Sequence, residues 1–121
     1  MGFIQKSRIL IDSGYFYNES LLIYEDYDYR VEVPKQTMSD GPTLNWFTKL
    51  FFSTKEYRLG VEAAIVHDHM CNNKHLYSRR MSSRFLRDIW IAAGLNPIKG
   101  WLVFIFTDLY QWWEFRDHWK S

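Results

Sequence analysis

The sequence predicts an α+β fold: a small antiparallel sheet, a hairpin or meander, followed by about four helices in a single domain spanning residues 1–121. Three observations predict it. Tyr29, Val31 and Val33 alternate with Arg30 and Glu32, the period of a half-buried strand. Val61-Glu62-Ala63-Ala64-Ile65-Val66 is close to a continuous apolar run, as in a buried helix. Helix punctuation then recurs downstream, with Ser78 as an N-cap, Gly94 as a left-handed stop and Asn96-Pro97 as a second start.

Each element follows from local chemistry. Arg8-Ile9-Leu10-Ile11 is a short apolar strand closed by the turn residues Asp12-Ser13-Gly14. Leu21-Leu22-Ile23-Tyr24 gives a second strand and residues 29–33 a third; Pro34, which has no N–H to offer a ladder, ends it. Thr43 to Phe52 reads as a short aromatic helix, and Lys55 to Asn72 as the central one, stopped by Asn72-Asn73. A third helix runs from Ser78 to Ala93. The last opens at Asn96-Pro97 and runs towards Trp119, with apolar residues on all sides. Helical spacing selects Ile98, Trp101, Leu102, Ile105, Leu109 and Trp112 as its inward stripe, leaving Phe106, Tyr110, Trp113 and Phe115 outside.

Composition narrows the function classes. A net charge of +1 supplies no long-range field of the kind nucleic-acid binding demands. The one basic concentration is Arg79-Arg80 with Arg84 and Arg87; positions 80, 84 and 87 share a helix face, either solvated or suited to an acidic partner. An aromatic content of 19% supplies large burial areas and leaves some rings for a binding face. Cys71 is the only cysteine, which excludes an intramolecular disulfide and fits a reducing compartment. The N-terminus carries no apolar run of secretory type, and the run before Asp108 is too short to span a bilayer, so no membrane partner is expected.

The residues that could carry chemistry are Asp40, His67 and Asp68. Asp40 precedes the Gly41-Pro42 turn; His67 and Asp68 project about 100° apart on the central helix, so only one can point straight into the core. Ionisable groups in such surroundings are usually paired, because burying one alone costs several kcal/mol. A carboxylate beside an imidazole raises the imidazole pKa and fixes its tautomer, which suits a general base or a metal ligand; the same arrangement is more often a structural tie between a loop and a helix, and a partner contact is a third reading. Asp40 is expected to meet His67 or Asp68 in one cluster. His67, Cys71 and His75 recur every four residues, but the helix is expected to end before the third, so no bound metal or other cofactor is expected. There is no Gly-x-Ser-x-Gly elbow, no phosphate loop and no dinucleotide fingerprint.

In order, Val33-Pro34-Lys35, Ser39-Asp40-Gly41-Pro42-Thr43-Leu44 and Ala63-Ala64-Ile65-Val66-His67-Asp68-His69-Met70 resemble a small phage-associated family, domain of unknown function 1353. The resemblance covers roughly residues 20 to 95 and implies a strand ending in Val-Pro-Lys, a glycine-aromatic pair, a Thr-Asp turn, and a helix ending in His-Asp. It also implies an aspartate on the helix that follows. Here Gln36-Thr37 stands in place of the glycine-aromatic pair, Asn45 in place of a proline, and Ser83 in place of that aspartate. A lost carboxylate weakens any divalent-metal reading.

The leading expectation is therefore a non-enzymatic phage or prophage accessory protein that works in the host cytoplasm by binding and inhibiting a host protein, with a defence component as a candidate target. Tyr110, Trp113, Arg80, Arg84 and Arg87 are its expected contact residues, and a homodimer is compatible with the same aromatic surface. The alternatives are a small metal-dependent hydrolase using Asp40, His67 and Asp68, and a virion assembly component.

Overall fold

The computed structural model describes residues 2–12, 15–26, 29–39, 52–115 and 118–119. Among the described residues, six short strands precede four α-helices: β1 (Gly2–Gln5), β2 (Ile9–Asp12), β3 (Tyr15–Asn18), β4 (Leu22–Asp26), β5 (Tyr29–Val33) and β6 (Met38–Ser39), then α1 (Thr54–Leu59), α2 (Val61–Asn72), α3 (Arg79–Ala92) and α4 (Pro97–Phe115). The fold class is α+β, but the strands form two antiparallel sheets rather than one, ordered β1-β4-β5 and β2-β3-β6. The expected helix at Thr43–Phe52 falls almost entirely outside the described residues.

The first sheet carries the core. Leu22, Tyr24, Val31 and Val33 are buried on one face, in the alternation read from residues 29–33. Tyr24 meets Phe3 and Phe85 edge-on, with ring centroids 5.1 Å apart in both pairs. Behind the sheets lies α2, which buries Val61, Ala63, Ala64, Ile65, Val66, His67 and Met70 and touches β3, β5, β6 and α3.

The chain crosses between the sheets at residues 6–8, 19–21 and 34–37, and the buried side chain of Asn18 ties the last two crossings together. Its amide nitrogen donates to Ser20 O and Pro34 O, each at 2.8 Å, and lies 3.3 Å from Val33 O. Its side-chain oxygen accepts from Thr37 N at 2.9 Å, and its backbone carbonyl from Gln36 N at 2.7 Å. The first crossing joins at Ser7, whose Oγ accepts from Ser20 N at 2.8 Å.

The turn after Pro34 places Gln36 at φ +62°, in the left-handed region that favours glycine. The resemblance expects a glycine at this position, and the backbone explains why.

The central helix is interrupted where the sequence reads as continuous. Gly60 separates α1 from α2, and a Cβ there would lie 2.6 Å from the Trp90 ring. Trp90 also donates from Nε1 to Glu56 O at 2.9 Å and stacks on Phe52 at 5.0 Å. The break lets the indole lie across the backbone. Ser53 and Glu56 close a capping box on α1, and Glu56 is gripped by Lys99 of α4 at 2.9 Å. That grip holds the Glu56 carboxyl below its ordinary range.

The later helix ends match the sequence. Ser78 Oγ accepts from Met81 N at 3.1 Å, Gly94 takes φ +125°, and Asn96 Oδ1 accepts from Ile98 N at 2.8 Å. Of the expected inward stripe of α4, only Leu102 packs against the core, half-buried. Ile98, Trp101, Ile105, Leu109 and Trp112 are exposed, while Gly100, Val103, Thr107 and Gln111 are buried. A Cβ at Gly100 would lie 2.4 Å from Ile91, so the helix docks through its smallest residue. The ion pair Arg79–Asp108, at 3.0 Å, fixes its rotation.

Two substitutions probe the crossings. Gln36→Gly should stabilise the protein by about 0.5–1 kcal/mol, relief of left-handed strain outweighing the added freedom of the unfolded chain. Asn18→Ala should destabilise it by about 3 kcal/mol, since it removes several hydrogen bonds and strands buried carbonyls. Urea midpoints at constant m-value measure both.

Candidate functional site

The polar residues of α2 divide as its geometry dictates. His67 faces the core and is buried, while Asp68, one-third exposed, and Cys71 face an open cleft of about 350 Å³ lined also by Tyr15, Met38, Ser39 and Asn72. Asp40 lies outside the described residues; its neighbour Ser39 is on the cleft wall.

The electrostatics at His67 run opposite to expectation. Its Nδ1 is 3.9 Å from Asp68 Oδ1, beyond hydrogen-bond reach. Desolvation dominates instead, helped by the Lys74 charge, and lowers the imidazole pKa to about 4. His67 is therefore neutral at physiological pH, and its closeness to Asp68 is not an ion pair there. Cys71 Sγ lies 3.6 Å and 3.7 Å from the two ring nitrogens, within hydrogen-bond reach for sulfur. Burial pushes the thiol pKa up to about 12. A neutral imidazole beside a protonated thiol is not the activated pair of a cysteine nucleophile.

The metal-ligand spacing His67, Cys71, His75 fails geometrically. The α2 helix ends at Asn72, and His75 lies in the short 3-10 turn Lys74–Leu76, exposed to solvent. Among the described residues, no three His, Cys, Asp or Glu side chains converge on one point.

The arginine cluster does not form one contact face. Arg80 is exposed and Arg84 half-buried, but Arg87 is buried. Arg87 bonds Asp88 at 2.7 Å, and its guanidinium lies 4.5 Å from the Trp101 ring centre and 5.0 Å from that of Phe104. It is a cation–π strut between α3 and α4, buried rather than presented on one surface with Arg80. Ser83 donates to Asp108 Oδ1 at 3.4 Å, so a carboxylate adjoins position 83 but comes from α4.

The largest functional signal is the outer face of α4. Ile98, Trp101, Ile105, Phe106, Leu109, Tyr110, Trp112 and Trp113 are all exposed, from 42% for Trp112 to 76% for Trp113. Two of the expected contact residues, Tyr110 and Trp113, lie on it; the side chain of Phe115 is outside the described set. Phe106, also expected outside the inward stripe, lies on it too; periodicity alone misplaced the other five, Ile98, Trp101, Ile105, Leu109 and Trp112, because it assigns the most apolar stripe to the core. The signal that could have found them is the small and polar stripe Gly100, Val103, Thr107 and Gln111. No helix among the described residues is long and apolar enough to cross a membrane.

The chain belongs to the family of proteins of unknown function DUF1353, whose profile matches residues 18–106. The match begins at the Asn18 clamp, takes in His67-Asp68, and ends midway along α4, before Leu109–Trp113. No curated protein and no solved structure matches the chain.

His67 should leave a signature in the pH dependence of stability. Its folded-state pKa, about 4, lies below the ordinary 6.5, so below pH 6.5 the unfolded chain takes up a proton that the folded chain refuses. Stability from this group is intact above pH 6.5 and falls towards pH 4, by about 3 kcal/mol in total. Urea titrations from pH 7.5 to 4 should show a shallower loss for His67→Gln than for the wild type.

Proposed function

We propose that this chain is a small phage accessory protein that binds and inhibits a host protein in the host cytoplasm, without catalysis, through the outer face of α4. One observation carries the reading: eight large apolar side chains, five of them aromatic, stand exposed along one helix. Contiguous apolar surface of this kind usually marks an interaction site, and Trp and Tyr dominate the residues on which binding energy concentrates. The site on α2 gives the hydrolase alternative little support. Its imidazole is neutral, buried and weakly basic, and its thiol holds its proton.

Trp113→Ala and Tyr110→Ala test the reading. Both side chains are more than half exposed, so thermal unfolding should shift by less than about 2 °C. Affinity capture from host lysate should then yield a stoichiometric partner with the wild type that is reduced at least about tenfold with either variant, as expected of a central anchor. Activity of that partner should fall when wild-type chain is added. A captured set unchanged by both substitutions removes α4 from the binding surface.

A further inference from the structure

We propose that the outer face of α4 is closed by a second copy of this chain, so that the resting protein is a two-fold dimer built on antiparallel α4 helices. This rests on the reading of that face as the contact surface, and it names what occupies the face before any host partner does.

Area is the first support. A large apolar side chain presents about 150–250 Å², and with roughly half of each in solvent the eight residues together expose on the order of 800–900 Å². That exceeds the ~300–600 Å² of the largest apolar patch on an ordinary monomer. It equals the ~800 Å² that each partner contributes to a standard stable interface.

Charge is the second. From Ile98 to Trp113 the helix carries two charged residues, Lys99 and Asp108, at opposite margins of the face. Both are already engaged within the chain, Lys99 with Glu56 at 2.9 Å and Asp108 with Arg79 at 3.0 Å. Nothing on the face repels an identical face, and nothing on it selects a charged partner. An isologous contact asks for a surface complementary to itself, and an uncharged stripe meets that condition.

The length of the stripe fixes the geometry. It runs about 22 Å along the helix, with its midpoint between Ile105 and Phe106. Antiparallel pairing about that point sets the slender Ile98 end of one helix against the bulky Tyr110–Trp113 end of the other. Parallel pairing would crowd Trp112 and Trp113 against their own copies.

Sedimentation velocity of the full chain, with Leu109→Lys as the variant, tests this. Leu109 is 55% exposed and near the middle of the face, so a lysine there should leave the far-UV circular dichroism and thermal midpoint of the protomer unchanged. The wild type should sediment at twice its 14.7 kDa by about 10 µM, and Leu109→Lys as a monomer. A wild type monomeric at about 100 µM overturns the proposal, as does a folded Leu109→Lys that remains dimeric. Binding of a monomeric wild type to neutral phosphatidylcholine vesicles would overturn it in favour of a lipid surface. A monomeric wild type whose host partner is lost in Trp113→Ala would overturn the dimer and leave the host-binding reading standing. A dimeric wild type whose captured set is indifferent to Trp113→Ala supports the dimer and removes the host-binding reading.

Discussion

The buried amide of Asn18 is the constraint on which the rest of this structure depends. Two three-stranded sheets with strands of two to five residues have little cohesion of their own, and each crossing between them leaves backbone groups without a ladder partner. One side chain meets that demand for two of the crossings, its two N–H groups reaching carbonyls after β3 and after β5 and its oxygen taking an N–H before β6. Asparagine suits the task because it donates and accepts from one rigid plane. With the crossings fixed, β6 lies against β3, Ser39 faces the Asp68 and Cys71 side of α2, and Val31 and Val33 are presented to the helical layer.

The helical layer is held by two unlike interfaces. Phe85, Ile89 and Trp90 of α3 pack into a conventional apolar core with α2 and the first sheet. The α3–α4 seam is small and polar by comparison: Gly100 against Ile91, Arg79 and Ser83 on Asp108, and Arg87 under Trp101 and Phe104. Among the described residues, Thr107 Oγ1 and Gln111 Oε1 are buried in that seam without a hydrogen-bond partner. Each such atom costs about 1–3 kcal/mol, so α4 turns inward a face that is energetically poor and turns outward one that is rich in apolar area. Burial of that outer face against a second surface, as proposed above, would offset this, which ties the packing of α4 to its proposed role.

Legibility followed the strength of local chemistry. Strand alternation at residues 29–33, the Ser78 cap, the Gly94 stop and the Asn96-Pro97 start were all readable, because one or two residues decide each of them locally. The Asn18 clamp was not: a polar residue after an aromatic strand reads as a turn, and its partners lie up to 19 positions away. Gly60 was passed over because a lone glycine in a helical run is ordinary, and its reason, the Trp90 indole, comes from a different helix. For α4, period was visible but sign was not. The most apolar stripe faces outward here, so hydrophobicity points the wrong way, and the choice falls to close approach at Gly100 and the ion pair at Asp108. The raised imidazole pKa expected for His67 failed on magnitude: a carboxylate at 3.9 Å, one-third exposed and screened by water, loses to full desolvation of the ring.

Position 83 shows how the structure treats a place where the resemblance implies a charge. The resemblance implies an aspartate on the helix after His-Asp; here that place is Ser83, and its hydroxyl reaches Asp108 of α4. A carboxylate thus adjoins the expected position, but Arg79 holds its other oxygen at 3.0 Å. The carboxylate is thus already engaged, and the guanidinium beside it offsets the negative charge a divalent cation would need. The same three residues instead orient α4, and with it the face from Ile98 to Trp113. Asp108 lies two positions beyond the end of the family match, which takes in the first half of α4 and of its outer face and leaves out Leu109–Trp113.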